Sequence, residues 1–81
     1  MKEFETADLY LASAITTFSD LPVKYRIVNN KVLFVFPSCP EIYQAIDQYN
    51  HGDLINVLDY SQKLKRLRAE MLMMKRNGEN K

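Results

Sequence analysis

Residues 23–36 constrain the fold of this chain more than any other stretch. Two runs rich in β-branched and aromatic residues are joined by Asn29 and Asn30. A two-residue hairpin turn requires positive φ at both central positions, which asparagine tolerates. Such a turn places Tyr25 opposite Phe34. Period-2 alternation then collects six apolar side chains on one face, namely Val23, Tyr25, Ile27, Val32, Phe34 and Phe36. We therefore predict an antiparallel hairpin whose apolar face forms one side of the core.

The second strand of this hairpin is apolar on both faces, because Leu33 and Val35 lie on the side away from the predicted core. A strand of this kind is normally covered on both faces or paired along its edge. Two strands alone are only marginally stable in water. We therefore expect a third strand from the same chain, or the hairpin of a second copy, to extend the sheet.

A first helix is predicted over residues 6–19. Thr6 is a suitable N-cap, and Asp8 would lie in the first turn, where the helix dipole favours an anion. Pro22 follows the predicted end. Apolar residues recur at helical spacing and form one stripe, consisting of Ala7, Leu11, Ala14, Ile15 and Phe18.

Two further helices are predicted in the second half of the chain. One begins with a capping box formed by Ser38 and Glu41 and ends near residue 50, before Gly52. The last helix begins at Asp59 and runs to about residue 76. Between them, residues 54–58 are rich in Ile, Val and Leu, and we interpret them as an extended segment and a candidate short third strand.

These elements predict an α+β fold with the order α-β-β-α-(short β)-α and an antiparallel hairpin packed against helices. The chain has 81 residues, of which 47% are hydrophobic, which is enough for one small core. We assign residues 1–76 to a single domain and residues 77–81 to a polar tail that frays.

The residues needed for catalysis do not cluster in the sequence. His51 is the only histidine and Cys39 the only cysteine, and the predicted helix would separate them by about 18 Å. The carboxylates are scattered, and two glycines cannot build a glycine-rich phosphate loop. We therefore expect no enzyme activity, no catalytic, cofactor or metal site, and no small-molecule substrate.

The location of the chain is predicted from its termini, its hydropathy and its cysteine content. The first ten residues carry acids and lack the apolar region of a signal peptide. No apolar run approaches the length of a membrane span. A single cysteine suits a reducing compartment. We expect a cytoplasmic protein that does not associate with membranes.

The charge of the chain is unevenly distributed. From Asp59 onward there are seven Lys or Arg and three Asp or Glu, whereas the preceding part has four and seven. Two interpretations are open for the basic helix: it contacts nucleic-acid phosphates, or it presents an ordinary solvated face whose cations suit the helix C-terminus. The candidate nucleic-acid contacts are Lys63, Lys65, Arg66, Arg68, Lys75 and Arg76.

The last helix also carries apolar residues at heptad spacing, which we call the heptad stripe: Tyr60, Leu64, Leu67, Met71 and Met74. Residues 71–74 are all apolar, and methionine-rich surfaces adapt readily to partners. Together with the strand that is apolar on both faces, this pattern indicates a homodimer or a complex with another protein. The predicted partner-binding residues are Leu67, Met71, Met74, Val32 and Phe34.

Several short motifs resemble an uncharacterised bacterial and phage family. They are the segment at residues 6–12, the strand at 34–36, the turn at 49–52, and Leu64 and Leu67 among basic residues. In this order they resemble the domain of unknown function numbered 5659, over residues 5–68. The methionine-rich segment after Arg68 lies beyond the resemblance. The family implies no catalytic or binding residue; it implies a small accessory protein of a phage or mobile element.

Two functional hypotheses follow. The first is a non-catalytic protein-interaction module, an accessory or regulatory protein that self-associates through its last helix, its hairpin edge or both. The alternative is a nucleic-acid-binding protein that uses the basic helix, with affinity that falls steeply as salt rises.

Overall fold

The computed structural model describes residues 2–79, with side chains described for residues 2–76. The chain forms three helices and one three-stranded antiparallel sheet, so the predicted α+β class is confirmed. The elements in chain order are β1 (Glu3–Thr6), α1 (Leu9–Phe18), β2 (Lys24–Val28), β3 (Lys31–Pro37), α2 (Pro40–Asn50) and α3 (Val57–Glu79).

The hairpin of β2 and β3 has the predicted register. Tyr25 pairs with Phe34, and Val28 pairs with Lys31 on either side of the turn. Asn29 and Asn30 have φ values of 51° and 66°, which is the left-handed region that a type I′ turn requires. Local turn chemistry and side-chain alternation therefore determine this part of the fold.

The third strand comes from the N-terminus and not from residues 54–58. β1 pairs antiparallel with β3, which gives the sheet order β1-β3-β2. Phe4 of β1 packs against the core, whereas Glu3 and Glu5 alternate to the other side. The predicted strand at 54–58 is wrong, because residues 54–56 are irregular and Val57 begins α3. The extra strand that the hairpin needs is supplied within the chain.

This sheet order explains why the middle strand is apolar on both faces. β3 is paired on both edges, and Val35 on its outer face is only 3% exposed. Arg26 of β2 forms ion pairs with Glu5 at 2.8 Å and with Glu3 at 3.1 Å, both on β1. Because β3 lies between β1 and β2, the ion-paired side chains of Arg26, Glu3 and Glu5 cross the outer face of β3. On the outer face of β3, Val35 is therefore buried within the chain and Leu33 is partly buried.

Helix α1 begins three residues later than predicted. Asp8 is the N-cap, and its Oδ1 accepts hydrogen bonds from the backbone N–H groups of Tyr10 (3.0 Å) and Leu11 (3.2 Å). Thr6 ends β1, and its Oγ1 accepts a hydrogen bond from the Asp8 N–H. Asp8 is preferred because its side chain satisfies two of the N–H groups that a helix start leaves open.

The N-cap of α2 is Cys39, not Ser38. Pro40 occupies the first helical position, which suits its fixed φ. The hydroxyl groups of Ser38 and Tyr43 share a hydrogen bond of 2.9 Å, so the Ser38 side chain is used outside the cap. The predicted capping box is therefore wrong by one residue.

The end of α2 is a Schellman motif centred on Gly52, as the sequence indicated. Gly52 has φ +69°, and its N–H donates to the Tyr49 carbonyl at 3.2 Å. The Asp53 N–H donates to the Gln48 carbonyl at 3.0 Å. These two bonds satisfy carbonyls that the helix end leaves open and turn the chain toward α3.

Helix α3 starts at Val57, two residues before the predicted start. The Asn56 side-chain oxygen accepts a hydrogen bond from the Asp59 N–H at 3.0 Å, so Asn56 caps the helix and Asp59 lies in its first turn. The helix continues to Glu79, past the predicted end at residue 76. The remainder of the tail that we expected to fray, residues 80–81, lies outside the described residues.

The core lies between the sheet and the helices. Its largest members come from every layer, and each is at most 1% exposed: Ile15, Phe34, Phe36, Ile42 and Leu67. The Tyr25 ring meets Phe34 edge-on at 5.7 Å between ring centroids. Helix α1 packs against both α2 and α3, and α3 also contacts β2 and β3. The position of α3 over the sheet determines which of its faces is exposed.

Candidate interaction surface

The heptad stripe of α3 points into the molecule. Leu67 is completely buried, and Met71 packs against the core cluster. Met74 is partly buried on the same side. Leu67 is therefore unavailable to a partner. Leu67 is covered within the chain and does not fit the predicted partner contact, whereas Met71 and Met74 are partly exposed, and their predicted contact stays a prediction.

The two strand residues predicted to bind a partner are also in the interior. Phe34 is completely buried and Val32 is 7% exposed. Both lie on β3, which is the central strand and has no free edge. Both side chains lie on the core side of β3 and are buried, so neither is available to a partner in the folded chain.

The opposite face of α3 exposes apolar side chains that sequence reasoning missed. Leu72 is 54% exposed and Met73 is 63% exposed, and we call this pair the C-terminal patch. Leu58 is 69% exposed and precedes Leu72 by two heptads. At about 1.5 Å per residue the two leucines are about 21 Å apart on the same face. The run of four apolar residues at 71–74 could have indicated this exposure, because four consecutive residues cannot all lie on one side of a helix.

A second group of exposed apolar residues lies where the loop after α2 enters α3. Leu54 is 99% exposed and Val57 is 74% exposed, and with Leu58 they form what we call the N-terminal patch. Scattered apolar residues on a surface are ordinary, whereas adjacent ones indicate an interaction site. The composition of residues 54–58 predicted a strand, and for this reason the sequence did not indicate an exposed apolar patch here.

The two patches have surroundings of opposite charge. Asp53 and Asp59 flank the N-terminal patch in the sequence, and both are exposed. No Lys or Arg occurs between Lys31 and Lys63. Lys75 and Arg76 directly follow the C-terminal patch and are exposed as well. The outer face of α3 is therefore acidic at its beginning and basic at its end.

The predicted nucleic-acid contacts all lie on α3, mostly toward solvent. Lys63 is partly buried, and the other five are exposed: Lys65, Arg66, Arg68, Lys75 and Arg76. Among the side chains that the structure describes, Lys65, Arg66 and Arg68 form no ion pair. Cations at this end also suit the helix dipole, so their exposure agrees with both interpretations of the basic helix.

Glu70 is the only carboxylate between Asp59 and Arg76, and it faces the sheet. The Tyr25 hydroxyl donates a hydrogen bond to its Oε1. Burial raises the pKa of Tyr25 well above its usual range, and this hydrogen bond and the Glu70 charge raise it further, against a lowering effect of Arg66. The bond ties α3 to β2 and directs the Glu70 carboxylate toward the sheet.

A second tyrosine ties the start of α3 to α1. The Tyr60 hydroxyl donates to the Tyr10 carbonyl at 3.4 Å. Burial raises the pKa of Tyr60, with further contributions from Tyr49, Tyr10 and Asp8. Together with the burial of Leu67, the bonds of Tyr60 and Glu70 hold one face of α3 against the body of the fold, and Leu58 and Leu72 lie on the opposite, exposed face.

Cys39 and His51, the residues that a nucleophile and its base would need, lie at opposite ends of α2. Cys39 is the N-cap residue of α2, and its thiol, followed by the backbone N–H of Glu41, lowers the pKa of the Glu41 carboxyl. His51 caps the end of the same helix, with Nδ1 2.7 Å from the Asp47 carbonyl oxygen. Three of the surface cavities of the described residues, of about 200–370 Å³, are lined by neither Cys39 nor His51.

Two further findings concern residues 2–79 alone. No group of three or more His, Cys, Asp or Glu side chains is arranged to hold a metal ion. None of the helices combines the length and the hydropathy that crossing a bilayer requires.

Comparisons with protein-family models, with curated proteins and with solved structures find no match to this chain. The resemblance to the domain of unknown function numbered 5659 stays a prediction.

Proposed function

We propose that this chain is a non-catalytic protein-interaction module that self-associates through the outer face of α3. The observation that carries the proposal is the exposure of Leu58 and Leu72 on one face of a helix whose opposite face is already buried. The proposal keeps the last helix as the contact element but replaces the heptad stripe with the face opposite to it.

Burial of these side chains would supply useful association energy. Covering an exposed leucine contributes about 1.5–3 kcal/mol, and a symmetric dimer would cover each one twice. Association itself has a large entropic cost, so a contact limited to one helix face is expected to be weak and concentration-dependent. Such an interface suits a regulatory protein whose assembly responds to its abundance.

The experiment is a measurement of molar mass by light scattering over a range of protein concentrations. We expect the mass to rise from monomer to dimer for the natural chain. A Leu58→Glu variant should stay monomeric, because a carboxylate cannot be buried against an apolar surface without a large desolvation cost. Gln44→Glu makes the same charge change at an exposed position of α2 and should leave the dimer intact.

Circular dichroism of both variants establishes that the fold is retained. A natural chain that stays monomeric at every concentration would refute self-association, as would a Leu58→Glu variant that dimerises as well as the natural chain.

The resemblance to a phage and bacterial family supports a more specific role. On that basis we propose a small accessory or regulatory protein of a phage or mobile element that acts in the cytoplasm of the host cell.

A second candidate function, nucleic-acid binding, is favoured by the exposed cations of α3. Lys65 and Arg68 are exposed, and no described carboxylate neutralises them. Each cation that contacts a phosphate releases counterions, so binding should weaken steeply as salt rises.

Fluorescence anisotropy with labelled DNA and RNA measures this directly. Lys65→Glu and Arg68→Glu should lower the affinity, whereas Lys31→Glu in the hairpin turn is the matched control. Absence of binding to both nucleic acids at low salt would eliminate this candidate.

A further inference from the structure

Two surface cavities lie side by side where the end of α1 meets α2. Their volumes are about 370 Å³ and about 200 Å³, and Phe18 lines both. Together they follow α2 from Glu41 to Tyr49, which at about 1.5 Å per residue is a length of about 12 Å, and they continue past the helix end to Asp53. We call this surface the α1–α2 groove. Its length accommodates about two turns of a partner helix.

The α1–α2 groove has an apolar lining that is partly open to solvent. Tyr49 is 37% exposed, and Leu54, which lies between two residues of the lining, is 99% exposed. Adjacent apolar side chains on a surface indicate an interaction site. The other large apolar and aromatic side chains of the lining are only partly buried, namely Phe18, Leu21, Ile55 and Tyr60.

The charge of the groove is of one sign. The charged residues of its lining are all exposed acids, namely Asp20, Glu41 and Asp53. The Cys39 thiol and the Glu41 backbone N–H lower the pKa of the Glu41 carboxyl, so this group is ionised at neutral pH. Residues 3–23 and 32–62, which include all of α1 and α2, contain no Lys or Arg. No cation of these two helices therefore neutralises the carboxylates.

The sign of this charge selects the class of partner. Nucleic-acid phosphates are repelled by a surface of carboxylates, whereas Lys and Arg side chains are attracted to it. The amide groups of Gln44 and Gln48 lie four residues apart on one face of α2 and line the groove between the acids. They offer further hydrogen-bonding groups to a polar partner side chain.

We infer that the α1–α2 groove binds a cationic segment of a partner protein, in the manner of an amphipathic helix in a groove. Leucine-sized side chains of the segment pack against Phe18, Tyr49 and Ile55, and its Lys or Arg side chains pair with the three carboxylates. The groove is separate from the outer face of α3, so the inference goes beyond the proposed function and does not depend on it.

The first test uses three synthetic peptides of about 12 residues and measures their affinity by fluorescence anisotropy. The first peptide carries leucine at helical spacing and lysine elsewhere, the second has serine in place of leucine, and the third has glutamate in place of lysine. The first should bind, the second should bind about tenfold or more weakly, and the third should not bind. Equal binding of the serine peptide would overturn the inference, because charge alone would then explain the affinity.

The second test changes the charge of the groove. Asp20→Lys with Asp53→Lys should weaken binding of the leucine–lysine peptide by about tenfold or more. Asp47→Lys with Asp59→Lys is the matched control, since both residues are exposed and neither lines the groove. Circular dichroism establishes that both variants keep the fold. An equal loss of affinity in the control would overturn the inference, because the attraction would not be specific to the groove.

The third test removes part of the apolar lining. Tyr49→Ser should weaken binding of the same peptide about fivefold or more, because an aromatic contact is lost. Tyr43→Ser makes the same change at a residue of α2 that is 53% exposed and does not line the groove, and it should leave the affinity unchanged. An unchanged affinity of Tyr49→Ser would contradict the inferred position of the peptide.

Light scattering separates this inference from the proposed function. Asp20→Lys with Asp53→Lys should self-associate as the natural chain does, because the outer face of α3 is unchanged. Loss of the dimer in this variant would show that a second copy occupies the groove, and the inference would be overturned. A natural chain that binds the leucine–lysine peptide but stays monomeric supports the inference and refutes the proposed function. A dimeric chain that does not bind this peptide has the opposite meaning.

Discussion

Replacement of Leu67 by alanine tests whether the heptad stripe of α3 belongs to the core or to an interface. Leu67 is the residue of α3 that is completely buried, and it belongs to the same core cluster as Phe34 and Ile42. If that position is correct, Leu67→Ala leaves a cavity inside one chain. Its main effect should then be on the stability of the fold and not on assembly.

The expected loss is large for a chain of this size. Truncation of a buried leucine costs about 2–5 kcal/mol, through lost burial and the residual cavity. A domain of this length is stable by only about 4–12 kcal/mol. At about 4–8 °C per kcal/mol, the melting temperature should fall by at least about 8 °C.

Urea unfolding followed by far-ultraviolet circular dichroism measures the free energy of unfolding. The decrease caused by Leu67→Ala should be the same at low and high protein concentration, because the cavity lies within one chain. Met73→Ala is the matched control on the same helix: its side chain is 63% exposed, so its own effect on the fold should be below about 0.5 kcal/mol.

The reasoning would be refuted if Leu67→Ala unfolded at the same urea concentration as the natural chain but no longer dimerised. That result would place Leu67 in an interface between chains and would return the heptad stripe to its predicted role.

Two further predictions concern the contacts that hold the elements together. The pKa of Tyr25 is raised in the folded state. Above about pH 10, the unfolded chain loses the Tyr25 proton that the folded chain keeps. The free energy of unfolding should therefore fall as pH rises beyond about 10. Tyr25→Phe removes the Tyr25 part of this dependence, so the difference in free energy of unfolding between the two proteins should shrink as pH rises from about 10 to 11. A difference that stays constant over this range would contradict the Tyr25–Glu70 contact. Gly52→Ala should destabilise the chain by about 1–2 kcal/mol, because alanine is strained at positive φ. A Cβ at this position meets no atom within 4 Å, so the backbone conformation is the source of the cost. Gly52→Asn should destabilise the chain less in the same unfolding assay, because asparagine tolerates positive φ better.

The parts of the fold that could be predicted are those that local chemistry specifies. The hairpin follows from two adjacent asparagines and from alternation on both sides of them, and the end of α2 follows from Gly52. In both cases the residues that determine the backbone lie within a few positions of the feature. No other segment of the chain has to be positioned first.

The parts that were missed depend on distant partners. β1 has four residues, two of them glutamates, and nothing in its composition marks a strand. It is a strand because β3 offers a free edge and because Arg26 can meet Glu3 and Glu5 across that strand. Residues 54–58 show the reverse error: their composition of Leu, Ile and Val favours a strand, but Asn56 caps α3 and Val57 and Leu58 are its first residues.

Dependence on distant residues also explains why the exposed apolar face of α3 differs from the one that the sequence predicted. Hydrophobic periodicity identifies an apolar stripe, but it does not say whether the same chain or another one covers it. The contacts of Tyr25 with Glu70 and of Tyr60 with Tyr10 fix the rotation of α3, and they direct the regular stripe inward. The apolar residues that break the heptad pattern are then necessarily outside. The outer face, where Leu58 and Leu72 lie, is therefore the surface of α3 on which the proposed function depends.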